Sequence, residues 1–370
     1  MASTAPALAP KCSAGWVSEF SGSPPHPVAS GYTEATGGLA VLPTSAGSLL
    51  RSPVLGVADK VRFARLLTTL PKRQSASFGA LSAAEWTASL GLSSRGAGVI
   101  SALTRVATYA GDLELVSADA AVAQLQLALE GVLYLDGGWQ SLVDSLVAAA
   151  TSAGVTVLES ERATALHARA DGTFEVRTPA RTLQATSVVV AAGSPAAARA
   201  LLPHPPAWQL GAPATVACLD LGLRRVPATM VAFGLDQPLY LSTHSPRAHL
   251  APSGGAVVHV MRYGARTSQE DKHQLWALAR RCGTGDADVV AQRFLHEMTP
   301  CHALPRPGPG LTGRPAIDAT GTAGVFLAGD WVGTAGLLAD ASLASGEAAG
   351  RAASERAMRR RSATGATLGR

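Results

Sequence analysis

The densest run of residues able to hold a ligand lies near the C-terminus. Val325-Phe-Leu-Ala-Gly-Asp-Trp331 is followed by Gly333, by Gly336-Leu-Leu-Ala-Asp-Ala-Ser-Leu-Ala-Ser-Gly346 and by Glu347-Ala-Ala349. An apolar strand that ends in Gly329-Asp330 lets backbone approach a ligand closely at the glycine, and its carboxylate can accept hydrogen bonds from vicinal hydroxyls. The glycine-rich turn beyond it delivers the N-terminus of a small-residue helix. Free N–H groups and the positive dipole end there favour an electron-rich oxygen or a developing anion. Each piece alone is compatible with an ordinary strand-to-turn break and plain helix packing; the ordered combination suits a ligand with a hydroxylated chain.

A second glycine pair stands in Tyr134-Leu-Asp-Gly-Gly-Trp-Gln-Ser-Leu142, where Gly137-Gly138 opens a helix. Further polar candidates, Tyr240, His244, His259, Arg262 and Tyr263, fall on alternating segments, where such residues are more often satisfied members of a sheet. The sequence contains no Gly-x-Ser-x-Gly elbow, no HExxH and no phosphate-binding loop, so hydrolase and nucleoside-triphosphate chemistry find no foothold. Cys12, Cys218, Cys282 and Cys301 form no CxxC pair and no zinc-spaced cluster with histidine, which implies reduced thiols and no metal centre.

Helical spacing from Val57, a Ser82/Glu85 capping box, Ala120 to Leu129 and Trp139 to Ser152 predict a largely helical stretch. Strands are expected at Val155 to Leu158, Ala163 to Ala168, Thr173 to Arg177, Thr182 to Ala185 and Ser187 to Ala192, with a hairpin at Asp171-Gly172. Alternation predicts further strands at Thr215 to Leu223, Met230 to Gly234, Leu239 to Ser242 and Ala256 to Val260, then a helix at Asp271 to Arg281. A buried strand at Gly324 to Ala328 and a helix at Ala339 to Met358 close the pattern. The fully apolar strands at Ser187 to Ala192 and Gly324 to Ala328 should share one parallel sheet, covered on both faces. Residues 1–43, rich in Ser, Ala, Pro and Gly, are expected to be mostly loop or disordered.

Taken in order, these parts resemble the amine oxidase, protoporphyrinogen oxidase and phytoene desaturase superfamily over roughly residues 49–353. The resemblance implies an α/β fold in which an FAD/NAD(P)-binding Rossmann-like domain, built from discontinuous segments, interleaves with an α+β substrate domain. The segments would be an irregular 1–48, helical substrate-domain residues 49–135, flavin-binding 136–205, a β-rich substrate domain 206–310, flavin-binding 311–353 and a basic tail 354–370. It implies FAD as cofactor. Asp330, flanked by Gly329 and Trp331, would bond the ribityl hydroxyls, and the backbone of Leu338 and Ala339 would face the flavin pyrimidine edge. Ala163 would meet the adenine through its main chain, and Gly193 would end a strand near the dinucleotide. Gly137 and Gly138 would touch the cofactor, while Tyr134, Trp139, Tyr240 and His244, with Trp331, would line one apolar substrate cavity. The implied reaction is hydride removal from a C–N or C–C bond of a small apolar substrate; no residue stands out as a general base.

One element departs from the superfamily. A strand, GxGxxG and helix, with a glutamate about 20 residues on, should hold the pyrophosphate and adenosine ribose. Thr36-Gly-Gly-Leu-Ala40 lacks both the strand before it and the helix after it. The sequence therefore reads as the C-terminal four-fifths of a flavoprotein whose first βαβ unit is lost, replaced or encoded ahead of Met1, with weak FAD affinity expected. The alternative is a non-enzymatic remnant or binding subunit. At 47% hydrophobic the chain can bury a sizeable core, yet no apolar run reaches the roughly 18 residues a membrane span needs. The net charge of +5 is concentrated in the C-terminal arginines without interleaved aromatics, which argues against nucleic acid and suggests a solvated tail. Without a signal-like apolar stretch after Lys11, a cytoplasmic location is expected. Oligomeric state is not encoded in any motif.

Overall fold

The computed structural model describes residues 21–367 apart from 25–27, 34–37, 43–45 and 246. Three short strands come first: β1 (Gly22–Ser23), β2 (Ser30–Tyr32) and β3 (Ala40–Val41). Helices α1 (Ala46–Arg51), α2 (Val57–Thr69), α3 (Ala83–Ser89), α4 (Ser94–Thr108) and α5 (Ala118–Glu130) follow. The expected capping box is present at α3, where Glu85 N–H donates to Ser82 Oγ at 3.1 Å and Ser82 N–H to Glu85 Oε2 at 2.8 Å. Next come β4 (Tyr134–Leu135), α6 (Trp139–Ser152), an antiparallel meander of β5 (Ala165–Ala168), β6 (Phe174–Arg177) and β7 (Thr182–Ala185), then β8 (Val188–Val190) and α7 (Pro195–Leu201). The chain continues through β9 (Ala214–Leu223), β10 (Val231–Gly234), β11 (Leu239–Thr243), β12 (Ala256–Tyr263), α8 (Ser268–Arg281) and β13 (Val289–Cys301). It ends with β14 (Val325–Leu327) and α9 (Ala339–Thr367).

Seven strands form one sheet in the order β13-β9-β12-β11-β10-β2-β3. Because side chains alternate across a strand, one sheet face carries Val216, Cys218, Tyr240, Met261 and Tyr263 against Phe63, Trp86, Ile100 and Val122 of the helical stretch. The opposite face, with Leu219, Leu221, Leu241, Val258 and Val260, packs on Leu275, Leu278 and Ala279 of α8. The smaller layer is built on β8 and β14, which run parallel in the register Val188↔Val325 to Val190↔Leu327, as expected from their apolar composition. Val190, Leu327, Phe174 and Leu202 form its core with Trp331.

Four expectations change. Ser30–Tyr32 is strand rather than loop, because β10 offers a parallel partner that its local sequence does not announce; residues 1–20 lie outside the described set. β13, unpredicted, is the longest strand among the described residues; it is an edge with a single buried residue, Cys301, and with register shifts and Pro300 near its end, so no alternation marks it. Val155 to Leu158 is not strand: Val155, Val157 and Leu158 are exposed and belong to no ladder, and Val155 N–H donates back to the Ala150 carbonyl of α6 at 3.0 Å. The basic end is not a loose tail. α9 continues through it, and Arg356 and Arg360 donate to the carbonyls of Gly172, Asp171 and Thr186 at 2.6–3.3 Å, pinning the helix to the β5–β6 hairpin. No helix among the described residues is long and apolar enough to cross a membrane.

Candidate active site

The parallel strands β8 and β14 both lead into glycine, at Gly193 and Gly329. Ligands in open α/β sheets gather beyond such carboxyl ends. Gly193 has φ +73°, a backbone that side-chain-bearing residues rarely adopt, with open space where a Cβ would stand. At Gly329 the restriction is proximity: an added Cβ would lie 2.9 Å from Trp331 Nε1. That indole donates to the Gly193 carbonyl at 2.7 Å and packs on Trp208, ring centroids 4.8 Å apart, so Trp331, only 1% exposed, ties the two strand ends together from within the core. Ser345 of α9 accepts from Gly329 N–H at 3.0 Å and fixes the helix beside the turn.

Asp330 is 7% exposed, and both of its oxygens are engaged: His302 N–H donates to Oδ2 at 2.6 Å, and His302 Nδ1 lies 2.9 Å from Oδ1. His302 directly follows β13, so Asp330 latches the small parallel layer to the large sheet. Buried Arg314 braces the same turn from below, donating to the carbonyls of Asp330, Ala335 and Gly336 at 2.9–3.1 Å. Burial lowers its pKa, opposed by Cys301, Asp330 and Asp119. Neither His302 nor Arg314 could be singled out from the sequence, where each is an isolated polar residue.

Leu338 takes a left-handed backbone, φ +56°, immediately before α9. A branched residue held there costs of order 1–3 kcal/mol, and such strain is concentrated at ligand sites. Asp340, in the first turn, is raised in pKa by burial. A cavity of about 270 Å³ abuts the turn, bounded by Ala123, Gln124 and Leu127 of α5 with Leu311, Gly336 and Leu337.

The expected five-residue cavity is only partly assembled. Tyr134 and His244 stack at 4.2 Å, Tyr134 Oη lies 3.2 Å from Ser242 Oγ, and Tyr240 packs at 5.1 Å on Phe233 in the neighbouring core. Trp331 is sealed in the small layer's core, and Trp139 is 62% exposed on α6, so neither joins them. Gly137 and Gly138, at φ +73° and +71°, turn the chain into α6, where Asp136 accepts from His249 N–H at 2.8 Å. Ala163 is half-buried in the coil before β5. Tyr109, also left-handed at φ 59°, was not foreseen: it packs on the buried cluster of Ala110, Val116 and Leu337 that Leu338 also borders, and its ring lies 6.0 Å from that of Tyr263. The Tyr263 hydroxyl is buried without a hydrogen-bond partner. Burial raises the pKa of Tyr109, Tyr240 and Tyr263, keeping all three phenols protonated near neutrality.

The FAD dependent oxidoreductase pattern matches residues 74–349, well over half of the chain. The chain belongs to this FAD-dependent oxidoreductase family. Among solved structures it is similar to an oxidoreductase from Methanosarcina mazei, at 14% identity and a TM-score of 0.66 over 88% of this chain and 81% of that one. It is also similar to cyclohexylamine oxidase from Brevibacterium oxydans, at 15% identity and TM-score 0.62 over 91% and 82%. Putrescine oxidase bound to putrescine matches at 13% identity and TM-score 0.64 over 92% and 83%. At these identities the likeness is one of fold. No curated protein matches the sequence. The family's cofactor is FAD, and the residues present fit one half of it: the glycine-ended strands, the open space at Gly193 and the strained start of α9 form a cradle. No residue set matching the pyrophosphate-binding GxGxxG context accompanies them.

Proposed function

We propose that this member of the FAD-dependent oxidoreductases removes hydride from a C–N or C–C bond of a small, largely apolar substrate, as an amine oxidase or desaturase does. The carrying observation is the place of Tyr109, which packs both on the core cluster that Leu338 also borders and on the one that holds Tyr240 and Tyr263. When bound, FAD supplies the hydride acceptor. The chain's own part is positional. Gly193 and Gly329 admit backbone-close contact, Asp330 would offer its remaining lone pairs to ribityl hydroxyls while holding His302, and Leu338 and Ala339 would present the α9 N-terminus to the pyrimidine edge. The glycine turn at Gly137 and Gly138 and the main chain at Ala163 complete the proposed cofactor contacts.

Tyr109, Tyr240 and Tyr263 exclude water from that core. Leaving a buried hydroxyl unpaired costs about 1–3 kcal/mol, which favours a substrate whose single polar group meets Tyr263. Tyr134 and His244 would border the same region, with His244 held neutral. We place the reaction in the cytoplasm, in keeping with three buried free thiols, Cys218, Cys282 and Cys301.

A second reading, a binding subunit that does not hold FAD, draws on α6, which has no buried residue although Val143, Leu146 and Val147 are apolar. Titrating the purified chain with FAD and adding small primary amines without oxygen separates the two. Saturable flavin binding followed by substrate-dependent bleaching supports the oxidoreductase. A folded chain that leaves FAD free at saturating concentration overturns it in favour of the binding subunit.

A further inference from the structure

On the helix-facing side of the large sheet, a row of polar side chains crosses four adjacent strands. Arg293 of β13 stands opposite Asp220 of β9, Asp220 opposite His259 of β12, and His259 opposite Ser242 of β11. Cys218 lies two residues before Asp220 and therefore on the same face. Its position brings sulfur into the row: Cys218 Sγ is 3.2 Å and His259 Nδ1 2.7 Å from the same oxygen, Asp220 Oδ1. All three donor atoms lie within 4.8 Å of one another.

We propose that Cys218, Asp220 and His259 form a divalent transition-metal site with zinc as its preferred ion. An ion-pair ladder would account for Arg293, Asp220 and His259, but it gives no reason for a buried thiol to point at the same oxygen. Sulfur, nitrogen and oxygen converging on one point are the mixed donors that zinc accepts, at about 2.0–2.3 Å each. Seating an ion among them needs the side chains to part by about half an ångström. Antiparallel pairing holds β9 and β12 in register on both sides of the site, so the donors are preset rather than gathered from loops.

Arg293 donates to the far oxygen, Asp220 Oδ2, at 2.6 and 3.0 Å. It would leave Oδ1 as the single coordinating atom and orient it, as outer-sphere partners of ligating carboxylates do. The ring of His244 lies tilted 4.8 Å from that of His259 and would border the fourth position, which a water would take. Binding requires no redox change: the Cys218 S–H and the His259 Nδ1–H that face Asp220 Oδ1 both break as sulfur and nitrogen bond the metal, the thiol proton going to solvent and the neutral imidazole ending with its proton on Nε2. The site does not depend on flavin and is independent of the proposed oxidation.

Cobalt(II) is a suitable probe because a thiolate ligand gives it an intense charge-transfer band. The full chain, stripped with chelator and desalted, should bind one equivalent of cobalt with that band, and zinc should displace it. Cys218→Ser should abolish the band, while His259→Ala and Asp220→Asn should weaken binding at least about tenfold, since even loss of an outer-sphere partner costs 10–100-fold. Cys282→Ser, on the far side of the sheet, should leave it intact. Circular dichroism establishes that each variant is folded. A folded wild-type chain without the band at saturating cobalt, or a band that survives in Cys218→Ser, overturns the site.

Discussion

Replacing Asp330 by alanine tests the latch that joins the two layers. The wild-type carboxylate accepts from His302 N–H at 2.6 Å and lies 2.9 Å from His302 Nδ1, at a position only 7% exposed. Hydrogen bonds to a charged acceptor contribute about 1.5–3 kcal/mol each, and a buried donor left without a partner loses about 1–3 kcal/mol. His302 is a quarter exposed at its side chain, so water recovers part of the ring contact, whereas the main-chain N–H loses its acceptor outright. The expected loss is therefore about 2–4 kcal/mol, measured as a fall in urea midpoint at unchanged slope with no flavin present. Asp330→Asn keeps one carbonyl acceptor and should lose roughly half as much. Flavin affinity is then read separately, under conditions where both variants are fully folded. A ribityl role predicts a further loss of roughly ten- to a hundredfold, equivalent to about 1.4–2.8 kcal/mol. A change in stability below about 0.5 kcal/mol, the range of ordinary surface substitutions, would refute the latch.

Three more outcomes follow from the geometry. Gly329→Ala should destabilise by about 1–3 kcal/mol, because its Cβ would press on Trp331 Nε1 and displace the indole from the Gly193 carbonyl; adding Trp331→Phe should make the two losses strongly non-additive in the same unfolding assay. His244 is held to a pKa of about 4 by burial and by His259, so between pH 6.5 and 4 the unfolded chain binds the extra proton and stability falls with pH, by at most about 3 kcal/mol; His244→Gln should flatten that slope. Val147→Lys on exposed α6 should leave stability, read from the urea midpoint, within about 0.5 kcal/mol of wild type, and a loss above about 1.5 kcal/mol would mean that α6 is packed in solution.

What the sequence carried by itself was whatever short-range periodicity and composition enforce. The apolar runs at Val188–Val190 and Val325–Leu327 called for a shared parallel pair, which formed, but not for the exposure of one face, where Val189 is 37% exposed. The Ser82 capping box, the α6 bounds and the alternation of β9 to β12 were legible because each signal is complete within a dozen residues. The Gly329-Asp330 turn and its helix could be located for the same reason. Tertiary structure decided the rest. β13 needed its edge partner β9, and Val155 to Leu158 stayed unpaired although its composition suits a strand, because strand formation depends on hydrogen bonds from a neighbour the local sequence does not contain. Trp331 and Trp139, both aromatic beside a glycine turn, went to opposite fates: one was sealed against Trp208 and the other left in solvent. The engagement of Asp330 by His302, the Arg314 brace and the meeting of Cys218, Asp220 and His259 join residues 28, 16 and up to 41 positions apart in the chain. No spacing rule spans such separations: the pairing of β9 with β12 gathers one group, and the meeting of the end of β13 with the Gly329-Asp330 turn gathers the other.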